Sequence, residues 1–509
     1  MTKAPASNRA KYMTLVAALL GWMFDGFEMG LFPLIGGAAL KDLLGPGAAP
    51  EAATQWFGAI IAVFLVGAAS GGVLFGWLGD KIGRVRAMSL SIFTYAIFTG
   101  LCGVATEAWH VAALRFIASL GMGGEWSLGV ALVNEIWPGK SRAFIAGLIG
   151  AAANVGFLLV ALLSMGLADV IGSVKSLLLA VGLSDAATTK LLANSGWRFL
   201  MISGALPALL IFFIRLFVPE SEKWEEEKAT GSTSHWAKAD LLGVLIGCAA
   251  AIAIIWAWSP AGVSLLPAVL ITIVGLAVAL WGYLHPVRQY LGRAVLAGSL
   301  SAGSEKAVVR SMLLGAGLAG VALLGTWGSI QWAPRWAAEL QKDIPAANGN
   351  PAVKYYAKEK TQIATAIGAI LGTIVAAVAA GRFGRRVTYA VMCLGSIVSA
   401  LYFYQGNDTF GTGFLFAAFI AGGVTASFYG FFPLYFPELF PTAVRATGQG
   451  FAFNFGRIVA AIGGLQTATL MKAFDGSFPK AGSVMAVIYL IGVFIIWLGP
   501  ETNNKELPK

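Results

Sequence analysis

Six stretches of this chain, 88–106, 143–168, 199–214, 241–258, 264–284 and 483–499, contain no Asp, Glu, Lys or Arg. Crossing the ~30 Å hydrocarbon layer of a bilayer takes about 20 apolar residues in a helix. Only 12% of the 509 residues are charged and 58% are hydrophobic, whereas a soluble domain carries about 25% charge. These runs cannot all be hidden in a water-facing globule. They predict an all-α integral membrane protein. Small-residue strings such as "GAASGGVLFG" (67–76) and "GLIGAAANVG" (147–156) have the texture of closely packed membrane helices. A membrane β-barrel would show short alternating segments instead.

Spans are expected near 12–40, 55–78, 87–106, 109–134, 143–168, 196–218, 239–258, 264–284, 311–333, 361–380, 387–404, 411–436, 444–470 and 483–499, about fourteen in all. The net charge of +10 comes from short loops rather than a soluble basic face, so no nucleic-acid partner is expected. With a cytoplasmic N-terminus, inside segments collect Lys3, Arg9, Lys11, Lys81, Arg84, Arg86, Lys140, Arg142, Arg288, Arg293, Lys306, Arg310, Arg382, Arg385, Arg386 and Arg445. The positive-inside rule then places both termini in the cytoplasm of an inner or plasma membrane. Cys102, Cys248 and Cys393 lie in apolar runs and suggest neither a disulfide framework nor a metal site. The first apolar stretch reads as a retained span, not a cleaved signal.

Two phrases recur. "EIWPGKSRA" (135–143) returns as "ELFPTAVRA" (438–446), with Glu135 and Glu438 303 positions apart. "GDKIGRVRA" (79–87) returns as "AGRFGRRVT" (380–388), with Gly83 and Gly384 301 apart. "PES" (219–221) and "PET" (500–502) are offset by only 281. The shortfall predicts an extra segment of that size in the first half, placed in an outside loop near 170–195. The chain thus divides into a six-span half (1–218), a linker region (219–310) with an inserted hairpin at 239–284, and a second six-span half (311–509).

"GWLGDKIGRVRA" resembles the signature loop of the major facilitator superfamily, and "AAGRFGRRV" its second-half copy, with Gly381 where the first copy has Asp80. "RFIASLGMGGEW" (115–126), "PESEKW" (219–224) and "PTAVRATGQGFAFNFGR" (441–457) are similar to the sugar-porter and organic-acid/proton-symporter branches. "FDGFEMG" (24–30) resembles a first-span phrase of aromatic-acid and sialic-acid symporters, with Glu28 replacing an Asp. The resemblance implies the major facilitator fold, two six-helix bundles plus the hairpin. It also implies a charge latch at the cytoplasmic face, built here from Asp80, Gly83, Arg84, Glu135, Arg142, Gly384, Arg385, Glu438 and Arg445. The same charges read otherwise as interfacial anchors.

Five ionisable residues fall inside spans: Asp25, Glu28, Arg115, Glu125 and Arg457. Each costs about 2.5–3.5 kcal/mol to insert and faces a cavity as a rule. At 1.5 Å per residue Asp25 lies ~20 Å from the inside and Arg115 ~9 Å from the outside, so the two meet at one depth in a ~30 Å core. An Asp25–Arg115 pair is expected, as at the matching positions of sugar/proton symporters. A carboxyl that alternates between paired and protonated carries a proton; a static ion pair is the other reading. Glu28 stands one turn on along the same face, either sharing the proton role or sitting at the water boundary, and Glu125, deeper, is either a second protonation site or a partner within the bundle. Arg457 suits a carboxylate through bidentate bonds, or else packs against carbonyls. Asn454 and Gln331 add neutral hydrogen bonds, and Trp126 and Tyr429 are candidate cavity walls.

No Walker loop is present, which excludes self-powering by ATP. No enzyme chemistry and no cofactor are expected. "PESEKWEEEKATGSTSHW" (219–236) reads as a solvated charged linker. The partners expected are a small-molecule substrate, a proton and the lipid bilayer, and the chain is expected to be monomeric. The reading is proton-coupled symport of a small organic anion by alternating access. A proton-coupled sugar or polyol transporter and a non-transporting nutrient sensor remain the alternatives.

Overall fold

A computed structural model describes residues 8–48, 50–137, 141–258, 262–298, 303–342 and 356–508. Its first helices are α1 (Asn8–Leu44), α2 (Pro50–Ile82), α3 (Arg84–Cys102), α4 (Ala108–Ile136), α5 (Arg142–Ala180), α6 (Asp185–Ser203), α7 (Leu210–Phe217) and α8 (Glu222–Ala229). A hairpin follows, α9 (Leu241–Ala257) and α10 (Leu265–Leu296). Then come α11 (Ser304–Gly328), α12 (Ala333–Lys342), α13 (Ala357–Phe383), α14 (Arg385–Gln405), α15 (Thr412–Ala426), α16 (Phe428–Tyr435), α17 (Arg445–Ala473), α18 (Phe478–Ala486) and α19 (Tyr489–Ile495).

Among the described residues, twelve segments are long and apolar enough to cross a membrane. The expected spans 196–218 and 444–470 are not among the twelve, though both are helical. The first is broken: α6 ends at Ser203, a tight 3-10 turn carries Pro207, and α7 resumes at Leu210. Proline lacks the N–H that would bridge that turn.

The first-half helices pack on one another, α2 on α4, α4 on α3 and α5 on α1. The second half repeats this with α11 on α17 and α13 on α15. The halves meet along two seams, α2 with α17 and α5 with α13 and α16. Small residues allow the approach. A Cβ on Gly26 would lie 1.7 Å from the Ala153 carbonyl oxygen, and one on Gly156 1.9 Å from that of Met23. No larger residue fits at this α1–α5 crossing without moving backbone.

Two expectations are corrected here. Segment 170–195 is not a loop: α5 runs on to Ala180 past a non-helical Val170, and α6 begins at Asp185. Nor is 219–236 merely solvated, since Trp224 and Trp236 are buried. The Trp224 indole donates to the Asp80 carbonyl at 2.9 Å, and Trp236 stacks on Tyr290 of the hairpin at 4.3 Å. The hairpin itself packs on α2, where the Tyr283 and Ser70 hydroxyls are 2.7 Å apart.

Candidate functional site

The chain turns α2→α3, α4→α5, α13→α14 and α16→α17 all lie at one end of the bundle, with the basic segments 81–86 and 382–386. We call this the basic end, and the opposite one the far end. Gly83 has φ 112°, and Gly384 has φ 92°, a region that L side chains avoid. Each glycine stands just before a helix, α3 or α14. Glu220 accepts from the backbone N–H of Arg84 at 2.8 Å, and Glu501 from that of Arg385 at 2.9 Å. A Cβ on Gly83 would lie 2.3 Å from the Glu220 carboxylate, and one on Gly384 2.9 Å from that of Glu501. Each carboxylate therefore caps a helix N-terminus, where unpaired N–H groups and the helix dipole favour an anion. Burial by itself would raise the Glu501 carboxyl. The N–H groups of Arg385, Arg386 and Asn503 and the charge of Arg385 bring it below the ordinary Glu value. At Glu220 burial outweighs its donors and the carboxyl is raised.

The same end ties the halves together. Glu135 of α4 accepts from Arg445 of α17 at 3.0 Å, from Arg84 at 3.3 Å, and from the Ser221 hydroxyl. Arg84 also holds Asp80 at 2.6 Å and the Thr442 carbonyl at 3.0 Å. Asp80 receives the Thr447 N–H at 2.9 Å and its hydroxyl at 2.5 Å. Arg142 of α5 pairs with Glu438, which Arg385 clamps at 2.6 and 3.0 Å and Thr502 bonds. Ser221 and Thr502 thus serve Glu135 and Glu438 in the same way. Deeper along the seam the Asn134 amide reaches the Pro433 carbonyl at 3.1 Å, and Gln449 that of Ser127 at 2.5 Å.

The intramembrane charges form two groups. Arg115 pairs with Glu28 at 3.2 Å, not with Asp25 as the depths suggested. Phe64 and Phe32 flank its guanidinium at 4.5 and 5.1 Å, and Thr99 donates to Glu28 at 3.1 Å. Glu28 is only 1% exposed, so it does not sit at a water boundary. Asp25 instead faces the carboxyl of Glu125, which also lies against Tyr95 and Gly21. Both Glu125 oxygens and Asp25 Oδ1 are buried without a hydrogen-bond partner. The acid that acts most on Arg457 is Asp25, with Glu28 weaker. Arg457 lies over Phe453 at 5.3 Å, and its Nη1 is buried and unpartnered.

Arg457 lines a central cavity between α1 and α5 of one half and α11, α13, α15, α16 and α17 of the other. Trp22, Asn154, Trp327, Gln331 and Tyr429 share the lining. The mixture of aromatic walls with few polar groups is that of a small-molecule site. Asn154 and Gln362 each donate one amide N–H to a backbone carbonyl, Gly150 and Phe157, at 2.9 and 3.0 Å. A second chamber adjoins at the far end, where Trp327, Gln331 and Pro334 line both. The paired charges close the bundle at the basic end, while the far end holds the second chamber.

Of the residues expected to touch substrate, Arg457, Gln331 and Tyr429 line the cavity, and Asn454 and Trp126 do not. The Asn454 amide donates to the Gly123 and Gly450 carbonyls at 3.1 and 3.0 Å, consumed by the α4–α17 crossing. Trp126 stacks behind the wall on Phe453 at 4.0 Å. Sequence reasoning missed Glu220, Ser221, Glu501 and Thr502. Their signal is the "PES"/"PET" pair, whose offset sizes the insertion but whose residues carry no role in the sequence reading.

Comparison with known proteins agrees with this architecture. The model of the family described as "Sugar (and other) transporter" matches residues 13–244 and 355–509. A metabolite transport protein of Haemophilus influenzae, itself only provisionally assigned, is 27% identical over 504 residues, covering 98% of each chain. The cis,cis-muconate transport protein of Acinetobacter baylyi is 25% identical over 84% of this chain and 81% of its own. Among solved structures, the proton:xylose symporter XylE bound to a halogenated glucose superposes with a TM-score of 0.65 at 18% identity, over 98% of both chains.

Proposed function

The chain belongs to the sugar (and other) transporter family of the major facilitator superfamily, and from that premise we propose that it carries a small organic anion together with a proton. The observation that carries this is Arg457, a buried guanidinium that lines the central cavity, whose Nη1 has no hydrogen-bond partner and whose nearest influential acid is Asp25. An arriving carboxylate would form charge-assisted bonds to Arg457, in competition with Asp25. Once Arg457 turns to the cargo, the Asp25 carboxylate loses its compensation in a dry site that already holds Glu125. An uncompensated buried carboxylate takes up a proton. Anion and proton then enter as one neutral load. The Arg115–Glu28 pair stays out of this exchange, since each already has its partner. The muconate carrier among the relatives supports an anionic cargo.

We place the basic end in the cytoplasm, as the positive-inside rule favours. The described state is then outward-facing, its inner gate latched by Arg84, Glu135 and Arg445 and by Arg142, Glu438 and Arg385. Alternating access would break this latch and close the far end around the filled cavity.

The test is substrate-dependent proton entry into proteoliposomes with sialic, aromatic and dicarboxylic acids and hexoses. An acid should drive protons inward, Asp25→Asn should exchange acid without concentrating it, and Arg457→Gln should abolish acid binding. Hexose-driven uptake that survives Arg457→Gln would replace the anion by a neutral sugar. Undiminished accumulation by Asp25→Asn would remove Asp25 from the proton path.

A further inference from the structure

We propose that the far-end chamber is a separate anion-gathering subsite, which loads the central cavity by way of Gln331; its use by cargo rests on the anion reading above. Pro33, Gly37, Leu40, Phe57, Ile61, Leu65 and Ala460 make its walls largely apolar, and Arg335 and Lys358 are its only charged lining residues among those described. The Arg335 guanidinium lies 5.6 Å from the Trp332 ring and 6.0 Å from that of Phe57. Two aromatic faces hold it, which leaves its N–H fork unspent. The acid one turn along α12, Glu339, pairs with Lys342 at 2.5 Å.

The placement follows from the break between α11 and α12. Helix α11 ends at Gly328, Ser329 leaves the helical region at φ −128° and ψ −91°, and a single 3-10 turn spans Ile330–Trp332. That turn sets Gln331 on the wall common to both chambers, with Arg335 one turn outward and Arg457 inward. Two positive charges in a cleft with low-dielectric walls concentrate anions and raise their rate of arrival. Because the chamber opens to water, salt should screen the effect, with a Debye length of about 8 Å at physiological ionic strength. Arg457 is the binding cation, and Arg335 and Lys358 gather. The subsite would accept any small anion, and selection would fall to the inner cavity.

Iodide, a tryptophan quencher that needs only its negative charge to be gathered, tests the chamber without knowledge of the cargo. Quenching by iodide and by neutral acrylamide is measured on the full chain in nanodiscs. The Trp332 component is the difference between wild type and Trp332→Phe. At low ionic strength the iodide-to-acrylamide quenching ratio for that component should exceed the bulk ratio by about tenfold, within the range electrostatic focusing supplies. It should fall to the bulk value in Arg335→Gln/Lys358→Gln and in wild type at high concentrations of a non-quenching salt, and survive in Arg335→Lys. A ratio indifferent to salt, or unchanged in the double glutamine variant, overturns the proposal. The salt series needs only the wild type, so a poorly folded variant does not spoil the test. Failure of the anion reading shows separately, as hexose uptake insensitive to Arg457→Gln.

Discussion

Replacing Glu135 by Gln should unlatch the basic end. Glu135 Oε1 lies 3.0 Å from Arg445 and 3.3 Å from Arg84, and all three side chains are at most 1% exposed. Glutamine keeps the shape and one acceptor oxygen but removes the charge. Arg84 retains an acid, Asp80 at 2.6 Å. Arg445 does not: its other partners are the carbonyls of Phe440 and Pro508, at 3.3 and 2.6 Å. The cost therefore falls on Arg445 alone, and we take the low end of the range for breaking a buried pair, about 3 kcal/mol. In the opened state water solvates both guanidinium groups, so the cost applies to the closed state only. About 3 kcal/mol shifts the closed-to-open ratio by roughly 150-fold. A protein resting with about one molecule in a hundred open would become about evenly divided. The assay is a spin-label distance between the exposed positions Arg86 and Val387, at the starts of α3 and α14 in opposite halves, with Cys102, Cys248 and Cys393 replaced. Wild type should give one short distance, and Glu135→Gln a second, longer population of comparable weight. An unchanged distribution would refute the latch and leave these charges as interfacial anchors.

Arg142→Gln should open the same end less, because Glu438 keeps both bonds to Arg385 and the Thr502 hydroxyl; the same label pair should show a minor long-distance population, and an effect equal to that of Glu135→Gln would contradict the partition. Gly83→Ala should lower the melting temperature, since its φ of 112° and the Glu220 carboxylate 2.3 Å from the new Cβ both oppose it. Gly129→Ala, whose Cβ would meet nothing closer than 3.9 Å, is the control expected to melt like wild type. Glu501→Gln should be pH-dependent. The folded carboxyl is lower than the unfolded one, so its contribution is full above the unfolded value and is lost as pH falls through the folded value. The variant should melt below wild type at pH 7 and converge with it only well below the ordinary Glu range, where the folded carboxyl is itself protonated; an equal deficit at all pH values would show a packing defect instead.

What the sequence disclosed depended on whether a residue's role was fixed by local chemistry or by the angle at which two helices cross. The Glu135 and Glu438 phrases were legible because a charge and a helix-breaking proline recur at one spacing in both halves. The partner of Arg115 was not. Asp25 and Glu28 are about one helical turn apart, ~5 Å along the axis, which is less than the uncertainty in where α1 begins and how it tilts. Depth alone could not choose between them, and the structure gives Arg115 to the outer acid and leaves the inner one to Glu125 and Arg457. Asn454 failed for a related reason. It sits one turn from Arg457, but a Cβ on Gly72 would lie 2.2 Å from its amide, so the α2–α4–α17 crossing is close enough to capture the side chain before it reaches the cavity. Glu220 and Glu501 were within reach all along. A carboxylate repeated at the end of each half, with a Gly-Arg pair repeated earlier in each half at the start of a helix, has a ready use, which is to cap that helix start. The mismatch in their spacing drew attention to what had been inserted between the halves, and away from what the two acids hold. Each cap is also tied to its gate, through Ser221 to Glu135 and Thr502 to Glu438, so the opening of either half must move a helix start, its carboxylate and its gate glutamate together.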